Sequence, residues 1–298
     1  MFRFRMPEKS PIFGLLDQDS LFPRESTGSI PEKMGKAQIR AVETAQILTR
    51  ATGFISGFDY TLNPYVGCQF GCAYCYAAFF VSEKRRDDWG YWVDVKRNAV
   101  ELLTKRRVLK DKNIYMSSVT DPYQPVELRI GLTRSILEAV LPESRQPRLV
   151  IQTRSPFVTR DIDLFKRFRK LRVNMTVTTD CDVIRKRFEP MCPSNDRRLE
   201  ALEQVKAAGI RTGICITPML PLENPELFAL RLAASGADVY VAQPFKPSRG
   251  AFAASTRSMA TDIAREFNWT VGAYRQAFSV LRRHLPHLYE GRDGFMPE

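Results

Sequence analysis

Apolar and polar positions along this chain fall into a repeating unit. A short apolar run is followed by a longer stretch with an apolar residue every three or four positions. The runs at 60–64, 114–118, 149–152, 174–178, 212–216 and 239–242 predict strands. The periodic stretches at 96–110, 133–141, 160–170, 196–208 and 225–235 predict helices between them, with Gly209 and Gly236 as stop signals. Strand and helix in alternation imply a parallel sheet with right-handed crossovers. Six such strands suit an open or partial barrel better than a closed one of eight. Residues 1–50 lack the repeat, carry Pro7, Pro11, Pro23 and Pro31, and read as an irregular extension with one short helix or strand at 41–49. Residues 51–298 read as a single domain that ends in two further helices, at 259–267 and 270–285.

Five of the apolar runs finish in polar residues: Thr120-Asp121, Thr153-Arg154-Ser155, Thr178-Thr179-Asp180, Thr217-Pro218 and Gln243-Pro244. The carboxyl edge of a parallel sheet is where such folds carry their sites. Composition narrows the chemistry. The chain has 298 residues, 44% hydrophobic and 26% charged, as an ordinary globular enzyme does. His284 and His287 are its only histidines, so a histidine-based triad or a His-rich metal centre in the body of the chain is excluded. Six cysteines are too few for a disulfide-built scaffold of this length. No apolar run is long enough to span a membrane, and the start lacks a secretory signal, so a cytosolic, reducing location is expected. Neither a G-x-G-x-x-G nor a G-x-x-x-x-G-K-[ST] phosphate cradle occurs.

Charge adds one feature. The net charge is +12, and between Arg145 and Arg211 there are sixteen Lys/Arg against eight Asp/Glu. Lys166-Arg167-Phe168-Arg169-Lys170 and Arg185-Lys186-Arg187 lie within that stretch. A basic surface attracts polyanions, so a nucleotide or nucleic-acid substrate is one expectation. Solvated helix faces are the other, because Leu164, Phe165, Phe168 and Leu171 interleave with the basic residues at helical spacing.

The sharpest motif is Asn63-Pro64-Tyr65-Val66-Gly67-Cys68-Gln69-Phe70-Gly71-Cys72-Ala73-Tyr74-Cys75-Tyr76, which sets three cysteines at C-x3-C-x2-C just past the first strand. Three thiolates on one short loop can hold three irons of a [4Fe–4S] cluster and leave the fourth open. Gly67 and Gly71 let the loop wrap closely. A structural zinc site or an electron-carrying ferredoxin would need a fourth ligand. Cys181, Cys192 and Cys215 stand far away in sequence without a C-x2-C partner.

This spacing, with an aromatic residue before the last cysteine, resembles the radical S-adenosylmethionine enzymes. The residues flanking the cysteines, Thr120-Asp121-Pro122-Tyr123-Gln124-Pro125-Val126-Glu127, Leu132-Thr133-Arg134 and Thr178-Thr179-Asp180 are similar to the spore photoproduct lyase-like branch, over about 59–246. The resemblance implies a partial (β/α)6 barrel of TIM type holding a [4Fe–4S] cluster on Cys68, Cys72 and Cys75. It further implies S-adenosylmethionine at the open iron and a reducing donor of flavodoxin or ferredoxin type. One-electron cleavage would then yield a 5′-deoxyadenosyl radical that abstracts hydrogen from substrate, a lyase-like activity. By the same likeness, Tyr74 and Tyr76 take the aromatic positions against cluster and adenine, and Ser118 and Thr120 the methionine contacts. Arg154, Thr178 and Thr179 take carboxylate and ribose contacts, with Thr217 and Gln243 as further strand-end candidates. One departure stands out: spore photoproduct lyase carries a hydrogen-donating cysteine near the end of the second strand, where this chain reads Met116-Ser117-Ser118-Val119-Thr120. Cys181, just past the fourth strand, is a candidate alternative donor, and a packed or solvent-side thiol is the other reading. The competing class is a non-catalytic iron–sulfur or nucleic-acid-binding protein that keeps the fold.

Overall fold

The computed structural model describes residues 30–105, 109–246 and 256–296. Most of the predicted 1–50 extension and residues 106–108 of the helix predicted at 96–110 lie outside the described residues, and 109–110 are not helical. In chain order the first elements are β1 (Lys33–Met34), β2 (Ala37–Val42), β3 (Leu48–Arg50), β4 (Tyr60–Leu62), β5 (Tyr65–Val66), α1 (Glu83–Asp87), β6 (Trp92–Lys96), α2 (Ala99–Thr104), β7 (Asn113–Met116), α3 (Glu127–Ile130) and α4 (Leu132–Val140). There follow β8 (Arg148–Thr153), α5 (Ile162–Phe165), β9 (Leu171–Thr176), α6 (Asp182–Phe188), α7 (Asn195–Ala207), β10 (Arg211–Met219), α8 (Pro225–Ala234), β11 (Val239–Pro244), α9 (Ser258–Glu266), α10 (Val271–His284) and β12 (Leu288–Glu290).

Eight strands form one sheet in the order β12-β11-β10-β9-β8-β7-β4-β3. Every neighbouring pair from β4 to β12 is parallel, and β3 runs antiparallel along β4. The fold is therefore α/β with a mostly parallel sheet, a partial barrel that opens between β3 and β12. Strands covered on both faces explain the nearly continuous apolar runs. Leu149 and Ile151 of β8, Val173 and Met175 of β9, and Ile214 and Ile216 of β10 pack outward against Ile136, Leu137, Leu202, Val205 and Leu232 of the helices. Tyr115, Val150, Cys215 and Val241 face inward, where Phe58 and Phe295 close the barrel floor. Helix starts match the caps in the sequence: Ser194, Asn224 and Thr270 each accept a hydrogen bond from a first-turn backbone N–H.

The structure adds elements the sequence reading did not predict, among them β6 and α6, and three further differences have a clear cause. After α10 the chain returns as β12, a seventh parallel strand that pairs with β11; three residues are too few to display a period. Residues 33–50 supply three strands where little beyond one short element was read, and β2 pairs with β6 in a second sheet ordered β1-β2-β6-β5. The helix predicted over 160–170 ends at Phe165. The Lys170 carbonyl accepts from Leu149 N at 3.0 Å, so residues 166–170 turn into β9 instead of continuing the helix. No helix among the described residues is long and apolar enough to cross a membrane.

Candidate functional site

The cysteine loop leaves β5 at the carboxyl end of the barrel and folds through successive turns. Each cysteine opens one: Gly71 N donates to Cys68 O (3.2 Å), Cys75 N to Cys72 O (3.1 Å) and Ala78 N to Cys75 O (3.4 Å). All three thiols are free; Cys68 and Cys72 are buried and Cys75 is half-buried. Gly67 sits at φ +83°, and a Cβ there would lie 2.6 Å from the Trp92 ring and from the Trp92 carbonyl oxygen. Both strain and overlap follow from any larger residue. Gly67→Ala is expected to cost about 1–3 kcal/mol in thermal or denaturant unfolding and to lower the iron retained after reconstitution.

The segment after β7 braces this loop from beneath. The Thr120 hydroxyl donates to the Gly67 carbonyl at 2.6 Å, and Gln124 Nε2 donates to the Thr120 hydroxyl at 3.1 Å. Gln124 Oε1 accepts from Gln69 N at 2.9 Å, and Gln69 Oε1 accepts from Val126 N at 2.7 Å. Asn63 clamps the same segment, since its Oδ1 accepts from Val119 N and its Nδ2 donates to the Ser118 hydroxyl. Tyr76 donates its hydroxyl proton to the Ser118 carbonyl. Asp121 then ties the segment to β8: it accepts from the Thr153 hydroxyl (2.7 Å) and from Arg154 N (2.9 Å). The motif at 120–127 is thus a scaffold for the cysteine loop, built from side chain to backbone bonds that fix the loop's carbonyls and amides.

Above the scaffold lies a buried charged network. Arg154 Nη1 donates to Cys72 Sγ (3.0 Å), to Tyr74 Oη (2.7 Å) and to Glu189 Oε1 (3.1 Å). Glu189 also accepts from Tyr74, from the Thr178 hydroxyl (2.9 Å) and, through Oε2, from Arg198 Nη2 (2.5 Å). Neither side chain of the Glu189–Arg198 pair reaches solvent. Burial alone would raise the Glu189 carboxyl, but the Arg198 and Arg154 guanidiniums and the Tyr74 hydrogen bond hold it down at about 2. Cys72 is also lowered: its sulfur shares a hydrogen bond with the Cys192 thiol at 3.7 Å, and Arg154 opposes the cost of burial. Burial pushes Cys68 well up, and Cys75 up to about 11.

Tyr74, Arg154 and Thr178 therefore converge on Glu189 and, through Arg154, on Cys72. Tyr76 and Ser118 pair with each other, and the Thr120 hydroxyl is engaged by Gly67. Thr179 is not among them: its hydroxyl donates to the Pro221 carbonyl at 2.6 Å and is fully buried. It closes the loop after β10 instead of facing the cysteines. Thr217 and Gln243 are half-buried at the ends of β10 and β11, outside this network. Cys181 lies past β9 and donates its thiol to Glu223 Oε1 at 2.8 Å. Cys215 is buried in the barrel interior against Gln152, and burial pushes its thiol up to about 12. Glu189 and Arg198 were missed by the sequence reading, and Cys192 carried no signal there that sets it beside Cys72. Glu189 and Cys192 follow α6 and Arg198 lies on α7, all more than a hundred residues from Cys72, and no local spacing links them to it.

Comparison with known proteins places this arrangement. The model of the Radical SAM superfamily matches residues 62–230, more than half of the chain. An uncharacterized protein of Methanocaldococcus jannaschii is 41% identical over 167 residues, 56% of this chain and 62% of the relative. An uncharacterized protein of Acidianus two-tailed virus is 29% identical over 198 residues, 60% of this chain and 64% of the relative. The match thus spans less than two thirds of either relative. A variant of spore photoproduct lyase superposes with TM-score 0.59 at 16% identity, covering 88% of this chain and 86% of that one. Its complex with a dinucleoside spore photoproduct superposes with TM-score 0.57. With the thiol arch at the carboxyl end of a partial parallel barrel and the family match across it, this chain belongs to the radical S-adenosylmethionine superfamily.

Proposed function

We propose that this protein is a radical S-adenosylmethionine enzyme of lyase-like type, whose Cys68, Cys72 and Cys75 hold a [4Fe–4S] cluster. The observation that carries this reading is the braced cysteine loop, with three free thiols in successive turns and a guanidinium on the middle one. The donor set fits the group. No three His, Cys, Asp or Glu side chains among the described residues converge to hold one metal ion. Three soft thiols spaced along an arch suit a cluster that takes one thiolate per iron. When bound, cluster and S-adenosylmethionine supply one-electron cleavage of the sulfonium to methionine and a 5′-deoxyadenosyl radical. The chain's own contribution is binding and orientation. Thr120 and Gln124 hold the loop, Arg154 favours the Cys72 thiolate, and Glu189 fixes Arg154. Hydrogen abstraction needs no histidine base, which agrees with the two histidines lying in and after α10. An electron donor of flavodoxin or ferredoxin type and a cytosolic location belong to the same proposal. The substrate is unassigned. Anaerobic reconstitution should load about four irons and four sulfides per chain; a stoichiometry of one or two irons would sink the proposal.

One observation favours a second reading, a four-thiolate, non-catalytic iron–sulfur protein. The Cys192 sulfur lies 3.7 Å from that of Cys72. If Cys192 ligates, no iron is left open. Cys192→Ser separates the two: the enzyme reading expects the full iron load to persist, and loss of half or more of it would make Cys192 a ligand.

A further inference from the structure

The basic surplus of the middle third resolves into unlike parts. Arg154 and Arg198 are spent within the site on Glu189, and Arg160 pairs with Glu127 and Asp161. The run at 185–187 on α6 is also compensated: Arg185 and Lys186 bind Asp182, and Arg187 binds Glu266 at 2.8 Å. Six further cations gather elsewhere. Arg148, Lys166, Arg169, Lys170, Arg172 and Arg211 line one recess of about 410 Å³ at the amino ends of β8, β9 and β10.

The truncation of the predicted helix at Phe165 creates this cluster. Residues 166–170 turn under the barrel, so Lys166 and Lys170 line one recess with Arg148 instead of spreading over a helix face. No acidic residue lines the recess among the described residues. Arg169 pairs with exposed Asp111 at 3.2 Å, and Arg172 donates to the Met296 carbonyl. Arg148, Lys166 and Lys170 make no ion pair among the described residues, and the two lysines are exposed. Like charges gathered around one recess repel one another unless a counter-charge sits among them. The volume falls in the range of small-ligand sites.

Position separates this recess from the cysteine loop. Arg148 begins β8 and Arg154 follows its end, six residues and about 20 Å further along the strand. A ligand in the recess is thus on the floor side of the barrel, and the reacting end is at the mouth. We infer that the recess is a binding site for clustered phosphate groups, separate from the reaction site. The charges could come from a free polyphosphate or from a nucleic-acid strand, and two probes distinguish these sources.

The test uses the full-length reconstituted protein with sodium tripolyphosphate, followed by calorimetry, and a labelled single strand of about 20 nucleotides, followed by anisotropy. The variants are Arg148→Gln/Lys166→Gln/Lys170→Gln, the milder Lys166→Gln/Lys170→Gln, and a control, Lys186→Gln/Arg187→Gln. At least one probe is expected to bind, at least tenfold more weakly in the triple variant and less so in the double. The control variant should bind as the parent does, and iron content should be unchanged in all. If the strand is the ligand, log K against log salt should lose about two units of slope in the triple variant. Binding of tripolyphosphate alone assigns the free anion; binding of the strand with the same loss assigns nucleic acid. Absence of binding by both probes at low salt overturns the proposal. So does equal affinity in parent and triple variant, or an equal loss in the control.

Discussion

Alanine at Cys68, Cys72 or Cys75 is expected to remove the iron–sulfur chromophore, lowering reconstituted iron and acid-labile sulfide by an order of magnitude, whereas alanine at Cys181 or Cys215 leaves both unchanged. The contrast follows from where each thiol sits. The first three occupy one loop, in consecutive turns held by Gly67 and Gly71 at positive φ and by the Thr120–Gln124 braces. On the proposed assignment, removing one thiolate leaves an iron without its protein ligand, and the braced loop cannot swing another donor into place. Cys181 is committed to Glu223 and Cys215 to Gln152. Iron and sulfide assays with visible absorbance read the outcome. Iron loss in Cys181→Ala comparable to that in Cys72→Ala would contradict the ligand assignment.

Glu189→Gln is expected to be the most destabilising single replacement near the site. It leaves Arg198, with no exposed side-chain surface, and Arg154, only 17% exposed, without their shared counter-charge. Breaking a buried pair in this way costs about 3–5 kcal/mol, which for a chain of this size lowers Tm by roughly 10 °C. The pH dependence carries the signature. The Glu189 carboxyl is held at about 2 in the folded protein, against an ordinary 4.5. A depressed folded pKa gives stabilisation that is complete above the ordinary value and lost as pH falls through the folded one. Parent and Glu189→Gln should therefore differ fully above about pH 4.5 and converge toward pH 2. A difference independent of pH would assign the loss to packing instead. Because Arg154 also contacts Cys72, the variant should retain less iron than the parent at equal folded fraction.

How much of this was legible in the sequence depends on distance along the chain. The thiol arch was, because three cysteines within eight residues leave their spacing in plain view. Arg154 and Thr178 were legible as strand-end residues, since alternation along β8 and β9 extends the inward rows to positions 154 and 178. Their partner was not. Glu189 is an acidic residue just past a short helix, and nothing local distinguishes it from a solvated one. Only the folding of α6 back over the cysteine loop, where Phe188 O accepts from Ala73 N, brings it beneath Arg154. Thr120 was noticed for its position, yet its hydroxyl serves the loop backbone. Thr179, adjacent to Thr178, points by the same alternation to the other face and meets Pro221. The strand β12 and the turn at 166–170 escaped because tertiary pairing, with β11 and with Leu149, decides them against weak local signals.

The most direct measurement is 5′-deoxyadenosine formed by the fully loaded, anaerobic protein given dithionite and S-adenosylmethionine, quantified beside methionine. The assignment of Cys68, Cys72 and Cys75 to a cluster with one open iron predicts both products in equal amounts, absent from the three alanine variants and present in Cys192→Ser. A protein with its full complement of iron and sulfide that forms neither product would contradict it.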